Sequence, residues 1–215
     1  MTAIIGAAEL LRMDMSRNRS SLDLLNVILE SSGNAARLTQ NLLSVCRKQL
    51  YTPRSIDINT MLGQEESLFQ RIVGEDIQVV KKRSESPCTI FADPGQIDQI
   101  ILNIVLNARD AMPQGGVLEI RTERITVQEP SQTIPPGDYV LLSFTDTGMG
   151  IDPSIRDKIF EPFFTTKEVG KGSGLGLSIV YGIVTQNNGF IEVKSEPGRG
   201  TEVGILLPYC PADER

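Results

Sequence analysis

Asn103-Ile104-Val105-Leu106-Asn107-Ala108-Arg109-Asp110-Ala111 is the stretch on which the fold turns. It lies downstream of Asp93-Pro94-Gly95-Gln96, a helix start with Asp at the cap, Pro at the first helical position and Gln three residues beyond the cap. These signals predict one helix to about Ala111, ended by Pro113 and Gly115-Gly116. Ile100, Ile101, Ile104 and Val105 fasten one face to a sheet, while Asn103 and Asn107, four residues apart, project together from another. Amide oxygens suit Mg²⁺, a hard cation that takes oxygen ligands and keeps some water, and amide N–H groups can donate to phosphate. Taken alone, the pair better fits two buried asparagines bonded to neighbouring backbone.

Three further segments follow in order. Asp146-Thr147-Gly148-Met149-Gly150 comes after a strand. A carboxylate there can accept from the exocyclic amine of adenine, where guanine would present an oxygen, and glycines let the backbone approach the base. Phe160-Glu161-Pro162-Phe163-Phe164 precedes a long stretch from Thr165 to Gly174, and its aromatics serve as core or as the anchored hinge of a lid. Gly172-Ser173-Gly174-Leu175-Gly176-Leu177 runs straight into a helix, so free backbone and a helix N-terminus can wrap phosphate, with Lys167 and Lys171 as counter-charge. Its glycine spacing is not the dinucleotide fingerprint, and no Lys-Ser or Lys-Thr pair makes it a P-loop. As an isolated motif it is a flexible glycine loop.

Outward from these segments the periodicity is mixed. Ile4, Ala8, Leu11 and Met15 form one apolar stripe, Asp14 to Ser20 a polar turn, and Leu25, Ile28, Ala35, Leu38, Leu42 and Val45 a second stripe, until Pro53 stops it. This predicts a helical hairpin over residues 1–52, one half of a four-helix bundle across a homodimer; a hairpin packed internally is the other option. Over 53–215, strands at Ser55–Ile58, Ile77–Lys82, Thr89–Ala92, Val117–Val127, Tyr139–Thr145, Phe190–Ser195 and Thr201–Leu207 alternate with helices from Asn59 to about Phe69, from Asp93 to Ala111, from Asp152-Pro153 and over Leu175–Asn187. The last two strands form a hairpin turned by Pro197 to Gly200. The class is α+β: a hairpin followed by a two-layer α/β sandwich with one mixed sheet.

The 215 residues, 40% hydrophobic and 22% charged, suit a globular chain, and a net charge of −6 excludes an extended nucleic-acid surface. Cys46, Cys88 and Cys210 are too few and too scattered for a disulfide framework, and without His a zinc site is not expected. No apolar run nears the roughly 20 residues needed to span a bilayer, and no signal peptide opens the chain. The expectation is a cytoplasmic segment without direct membrane contact; attachment of a parent protein stays open.

In their joint order the four segments resemble the N box, first glycine box, F box and second glycine box of sensor histidine kinases, within the superfamily shared with gyrase, Hsp90 and MutL. The resemblance runs from about Met1 to Leu207. It implies ATP and Mg²⁺ as ligands, with Asn107 on the metal, Asn103 supporting metal and phosphate, and Asp146 recognising adenine. It further implies that Gly148, Gly150, Ile151, Thr166, Lys167, Lys171, Gly172, Ser173, Gly174, Leu175, Gly176, Leu177 and Thr201 line the site. Many family members carry Lys or Arg where this chain has Asp110, and Arg109 is the substitute. Asn103 replaces the water-activating Glu of the hydrolytic relatives, so ATP hydrolysis should be slow. The implied reaction passes the γ-phosphoryl group to a histidine and then to the aspartate of a response-regulator receiver domain. Because Thr2-Ala3-Ile4-Ile5-Gly6 resembles the sequence just after that histidine, the acceptor is expected within about two helical turns upstream of Met1. Two other readings stay open: a nucleotide-sensing dimerisation module without catalysis, and a protein-serine kinase or ATPase of the same superfamily.

Overall fold

The computed structural model describes residues 28, 51–64, 66–129, 134–167 and 172–211. The helical hairpin read over 1–52 therefore lies outside the described residues, save Ile28, Tyr51 and Thr52. In chain order the elements are β1 (Arg54–Asp57), α1 (Ile58–Gln64), α2 (Glu66–Val73), β2 (Ile77–Lys82), β3 (Thr89–Ala92), α3 (Pro94–Ala111), β4 (Gly116–Val127), β5 (Gly137–Asp146), a 3-10 turn at Pro153–Lys158, α4 (Gly176–Gln186), β6 (Phe190–Glu196) and β7 (Gly200–Pro208). Two units partition the chain. One comprises Tyr51–Phe164 and Gly176–Arg215 and carries the sheets; the segment Thr165–Leu175 belongs to the other.

Five strands form a mixed sheet in the order β2-β4-β5-β7-β6, with β2 parallel to β4 and the remaining pairs antiparallel. β1 and β3 pair separately, so the single sheet read from the sequence is two. Among the described residues β3 bonds to the chain of the large sheet through the bridge Ile90–Tyr209 and from Cys210 N–H to Thr89 O (3.0 Å), just past the end of β7 at Pro208. Likewise the helix read from Asn59 is two helices, the second ending at Val73.

Strand parity builds the core. Leu118 and Ile120 of β4, Val140, Leu142 and Phe144 of β5, and Val203, Ile205 and Leu207 of β7 alternate onto one face and are buried. α3 covers that face with Ile97, Ile100, Ile101, Ile104, Val105 and Ala108, the stripe anticipated from its spacing. Each fully buried isoleucine contributes roughly 1.5–3 kcal/mol, so this face alone anchors the helix. α4 adds Val180, Ile183 and Val184. The start of α3 is fixed as its sequence indicates: the Asp93 side chain accepts from Gly95 N–H (2.8 Å), and Pro94 opens the helix. Asp93 also accepts from the Thr52 N–H (3.0 Å), and these bonds hold its carboxyl below the usual carboxylate range. No helix among the described residues is long and apolar enough to cross a membrane.

Candidate functional site

The two asparagines face the start of α4. Asn103 Nδ2 donates to Gln99 O (2.9 Å), one turn back along α3. That bond leaves Oδ1 turned outward, and a Cβ placed on Gly176 would lie 3.4 Å from it and 3.6 Å from Asn107 Nδ2. Both amides thus meet the first residue of α4, where helical N–H groups have no partner within the helix and the dipole is positive. The alternative of asparagines bonded to backbone holds for one nitrogen of the pair; the Asn103 oxygen is presented. No cluster of three or more His, Cys, Asp or Glu suited to a metal occurs among the described residues. Amide oxygens beside a helix N-terminus fit a hard cation that retains water and shares phosphate oxygens, and they do not suit a soft metal.

At the C-terminal end of α3, one turn beyond Asn107, the chain meets the loop of Asp146. The alternation that buries Val140, Leu142 and Phe144 turns the last residue of β5 to the same inner face, and Asp146 is 8% exposed. Its register partners are Leu118 on β4 and Thr201 on β7. Burial pushes its carboxyl above the usual carboxylate value, while N–H bonds from Gly148 (2.8 Å) and the Thr201 backbone oppose that shift. The carboxylate is thus a desolvated acceptor held by two backbone donors.

The Asp146 loop is built by close backbone approach. A Cβ on Gly148 would lie 2.6 Å from Ala111 O and 2.8 Å from both Ala111 Cβ and Asp146 Oδ1. Only glycine lets the end of α3 abut this loop, where Met149 N–H donates to Ala111 O (3.0 Å). Gly200 has φ 93°, and any Cβ there would run into the Asp146 carbonyl. Beneath the loop, Ser195 Oγ accepts from Ile151 N–H (2.8 Å), donates to Gly200 O (2.9 Å) and lies 2.9 Å from Thr201 Oγ1. Ser195 belongs to none of the four sequence segments. Its signal lies in strand parity, since it continues the inward positions of Ile191 and Val193 as a polar residue.

Within the sheet-bearing unit the structure thus brings together Asn103, Asn107 and Gly176 along the C-terminal half of α3, and Asp146, Gly148, Gly150, Ile151 and Thr201 around its last residue, Ala111. Leu177 follows Gly176 in the first turn of α4 and is partly buried. Arg109 donates from Nε (2.9 Å) and Nη2 (2.6 Å) to Asp110 Oδ1. Phe160 packs on Tyr181 of α4 with ring centroids 5.5 Å apart. Phe163 has φ 69° and is 65% exposed, so it is not core.

The segment Thr165–Leu175 stands by itself in the other unit. There Lys167 N–H donates to Thr165 Oγ1 (3.1 Å), Leu175 N–H donates to Ser173 Oγ (3.3 Å), and Gly174 has φ 65°. Thr166 is exposed and Gly172 partly buried. Lys171 lies outside the described residues.

Residues 92–211 match the family described as histidine kinase-, DNA gyrase B-, and HSP90-like ATPase. The chain is 41% identical to sensor kinase CckA of Brucella abortus, an alignment spanning 100% of this chain and 23% of that protein. It is 33% identical to sensor histidine kinase ZraS of Escherichia coli over 86% of this chain and 37% of ZraS. Sporulation kinase B of Bacillus subtilis is 27% identical, with 97% of this chain and 46% of that kinase covered. The chain therefore spans less than half the length of these curated relatives. Among solved structures, full-length ShkA in complex with AMPPNP is similar at TM-score 0.73 and 26% identity, covering 97% of this chain and 43% of ShkA. The mycobacterial sensor histidine kinase MprB is similar at TM-score 0.60 and 27% identity, covering 74% and 99% of the two chains.

Proposed function

This chain belongs to the histidine kinase-, DNA gyrase B-, and HSP90-like ATPase family and carries the catalytic ATP-binding domain of a two-component sensor histidine kinase; from that premise we propose that it binds ATP with Mg²⁺ and delivers the γ-phosphoryl group to a histidine. The observation that carries this reading is the C-terminal half of α3. There two amides face a helix N-terminus, and four residues on, at Ala111, the helix abuts the loop of a buried carboxylate, Asp146.

Asp146 accepts from the adenine amine, and its Gly148 and Thr201 donors hold the carboxylate in place. Gly150, Ile151 and the Ser195–Thr201 pair keep the loop beside the base in register. Asn107 would hold Mg²⁺ with Asn103 beside it, and the ion would neutralise phosphate charge. The α4 N-terminus, from Gly176 and Leu177, supplies N–H donors to phosphate. Arg109, Thr166, Lys167, Lys171 and the backbone of Gly172, Ser173, Gly174 and Leu175 add donors and counter-charge. No carboxylate takes the place of Asn103, so water is not activated there and transfer proceeds by positioning and electrostatics.

The acceptor histidine lies outside these 215 residues, which contain none. Residues 1–52 are proposed as the dimerising hairpin, and a receiver-domain aspartate as the next phosphoryl acceptor. The test incubates this chain, and a longer protein containing it together with its histidine, with γ-labelled ATP and Mg²⁺. Acid-labile label on the longer protein alone is the expected result. Acid-stable label on this chain would reassign it as a serine, threonine or tyrosine kinase. Binding without any transfer would favour a nucleotide sensor.

A further inference from the structure

Arg109 and Asp110 are neighbours on a helix, and side chains at i and i+1 do not normally face each other. Here they pair twice, through Nε at 2.9 Å and Nη2 at 2.6 Å to one carboxylate oxygen. The helical spacing explains what the pairing does. Positions 103, 107 and 110 are related by i, i+4 and i+7, so Asp110 continues the stripe that carries the two amides. Arg109 starts about 100° round the helix from Asp110. Chelating Asp110 ties its guanidinium to a carboxylate rooted on the amide face.

The next residue, Ala111, receives the Asp146 loop through Met149 N–H. Along α3 the pair therefore sits between the amides and the contact with the Asp146 loop. A guanidinium has five N–H donors. Two go to Asp110, and both side chains keep solvent access at 42% and 28% exposure. We propose that Asp110 is a positioning residue: it aims Arg109, a donor to phosphate in the ATP-binding reading, at the phosphate chain of the bound nucleotide. The proposal rests on the ATP-binding reading above and gives Asp110 a task in it.

The sign of one experiment separates positioning from bulk electrostatics. Removing the Asp110 charge makes the site more positive, so a carboxylate that merely repels phosphate would yield tighter nucleotide binding when lost. A carboxylate that aims Arg109 would yield weaker binding. Calorimetric titration of ADP and of adenosine is done on the wild-type chain, Arg109→Gln, Asp110→Ala, Asp110→Asn and the Arg109→Gln/Asp110→Ala double variant. Melting curves without ligand verify folding.

Arg109→Gln should weaken ADP by about tenfold, the lower end for a lost charge-assisted hydrogen bond, and leave adenosine unchanged. Both Asp110 variants should also weaken ADP, and the double variant should bind ADP no worse than Arg109→Gln alone. Equal or tighter ADP binding by Asp110→Ala and Asp110→Asn overturns the positioning role. Unchanged ADP binding by Arg109→Gln, or equal losses for ADP and adenosine, overturns the phosphate contact. A wild-type chain that binds no adenine nucleotide sinks the ATP-binding reading instead, which is a different failure.

Discussion

Asp146→Asn changes one atom of the side chain and tests base recognition most directly. The carboxylate is 8% exposed and already accepts from Gly148 N–H at 2.8 Å and from the Thr201 backbone. An asparagine has a single acceptor oxygen. If that oxygen keeps Gly148, the amide NH₂ turns to the ligand and meets the adenine amine donor to donor. Losing a charge-assisted bond costs about 1.5–3 kcal/mol, which is roughly 10- to 100-fold in affinity. Calorimetry with ADP and GDP should therefore show ADP binding weakened by that factor. It should also show the ADP-over-GDP preference reduced, since the new NH₂ can donate to the guanine oxygen. A second arm uses pH. Burial raises the folded-state pKa of Asp146 above its unfolded value of about 3.9. Its contribution to stability is then fully present below that unfolded value and is lost as pH rises through the folded one. Asparagine does not titrate. Without nucleotide, the stability of wild type relative to Asp146→Asn should therefore fall from acid toward neutral pH, while wild-type ADP affinity rises over the same window as the carboxylate ionises. Undiminished ADP affinity in the variant would refute base recognition, and a pH-independent stability difference would refute desolvation of the carboxylate.

Asn107→Asp should abolish most Mg²⁺-dependent phosphoryl transfer in the histidine-bearing parent while leaving the melting temperature of this chain nearly unchanged, because the change adds charge beside the triphosphate and the helix is held by its opposite face. Labelling rates across a Mg²⁺ titration decide it. Gly148→Ala should destabilise the chain by about 1–3 kcal/mol and weaken ADP, since the new methyl must displace the Ala111 backbone 2.6 Å away; chemical denaturation measures the first effect and calorimetry the second. Asp93→Ala should remove about 0.5–2 kcal/mol at neutral pH through loss of the α3 cap. Because bonds from Thr52 and Gly95 lower the Asp93 pKa, that difference should persist above the unfolded value and vanish as pH falls through the folded one, as melts at neutral and acid pH would show.

Local chemistry alone makes α3 readable: Asp93 and Pro94 set its start, the isoleucine spacing sets its buried face, and a four-residue interval puts Asn103 and Asn107 on another face together. The strand limits Ile77–Lys82 and Thr89–Ala92 are likewise legible from short-range pattern, and so is the closing hairpin around Pro197 to Gly200. The separation of β1 and β3 into their own sheet is not, because pairing depends on which strand edges meet after the chain has folded back. Ser195 is illegible for the same reason: its hydroxyl matters through Ile151, Gly200 and Thr201, and Ile151 lies 44 residues away. The burial of Asp146 is also a tertiary fact. Its sequence specifies a strand end before glycines, but the inner-face parity of β5, the Thr201 donor from β7 and the abutting end of α3 are what desolvate the carboxylate. Periodicity and turn chemistry are encoded within a few residues, whereas desolvation and hydrogen-bond partners across strands exist only once distant segments are packed together.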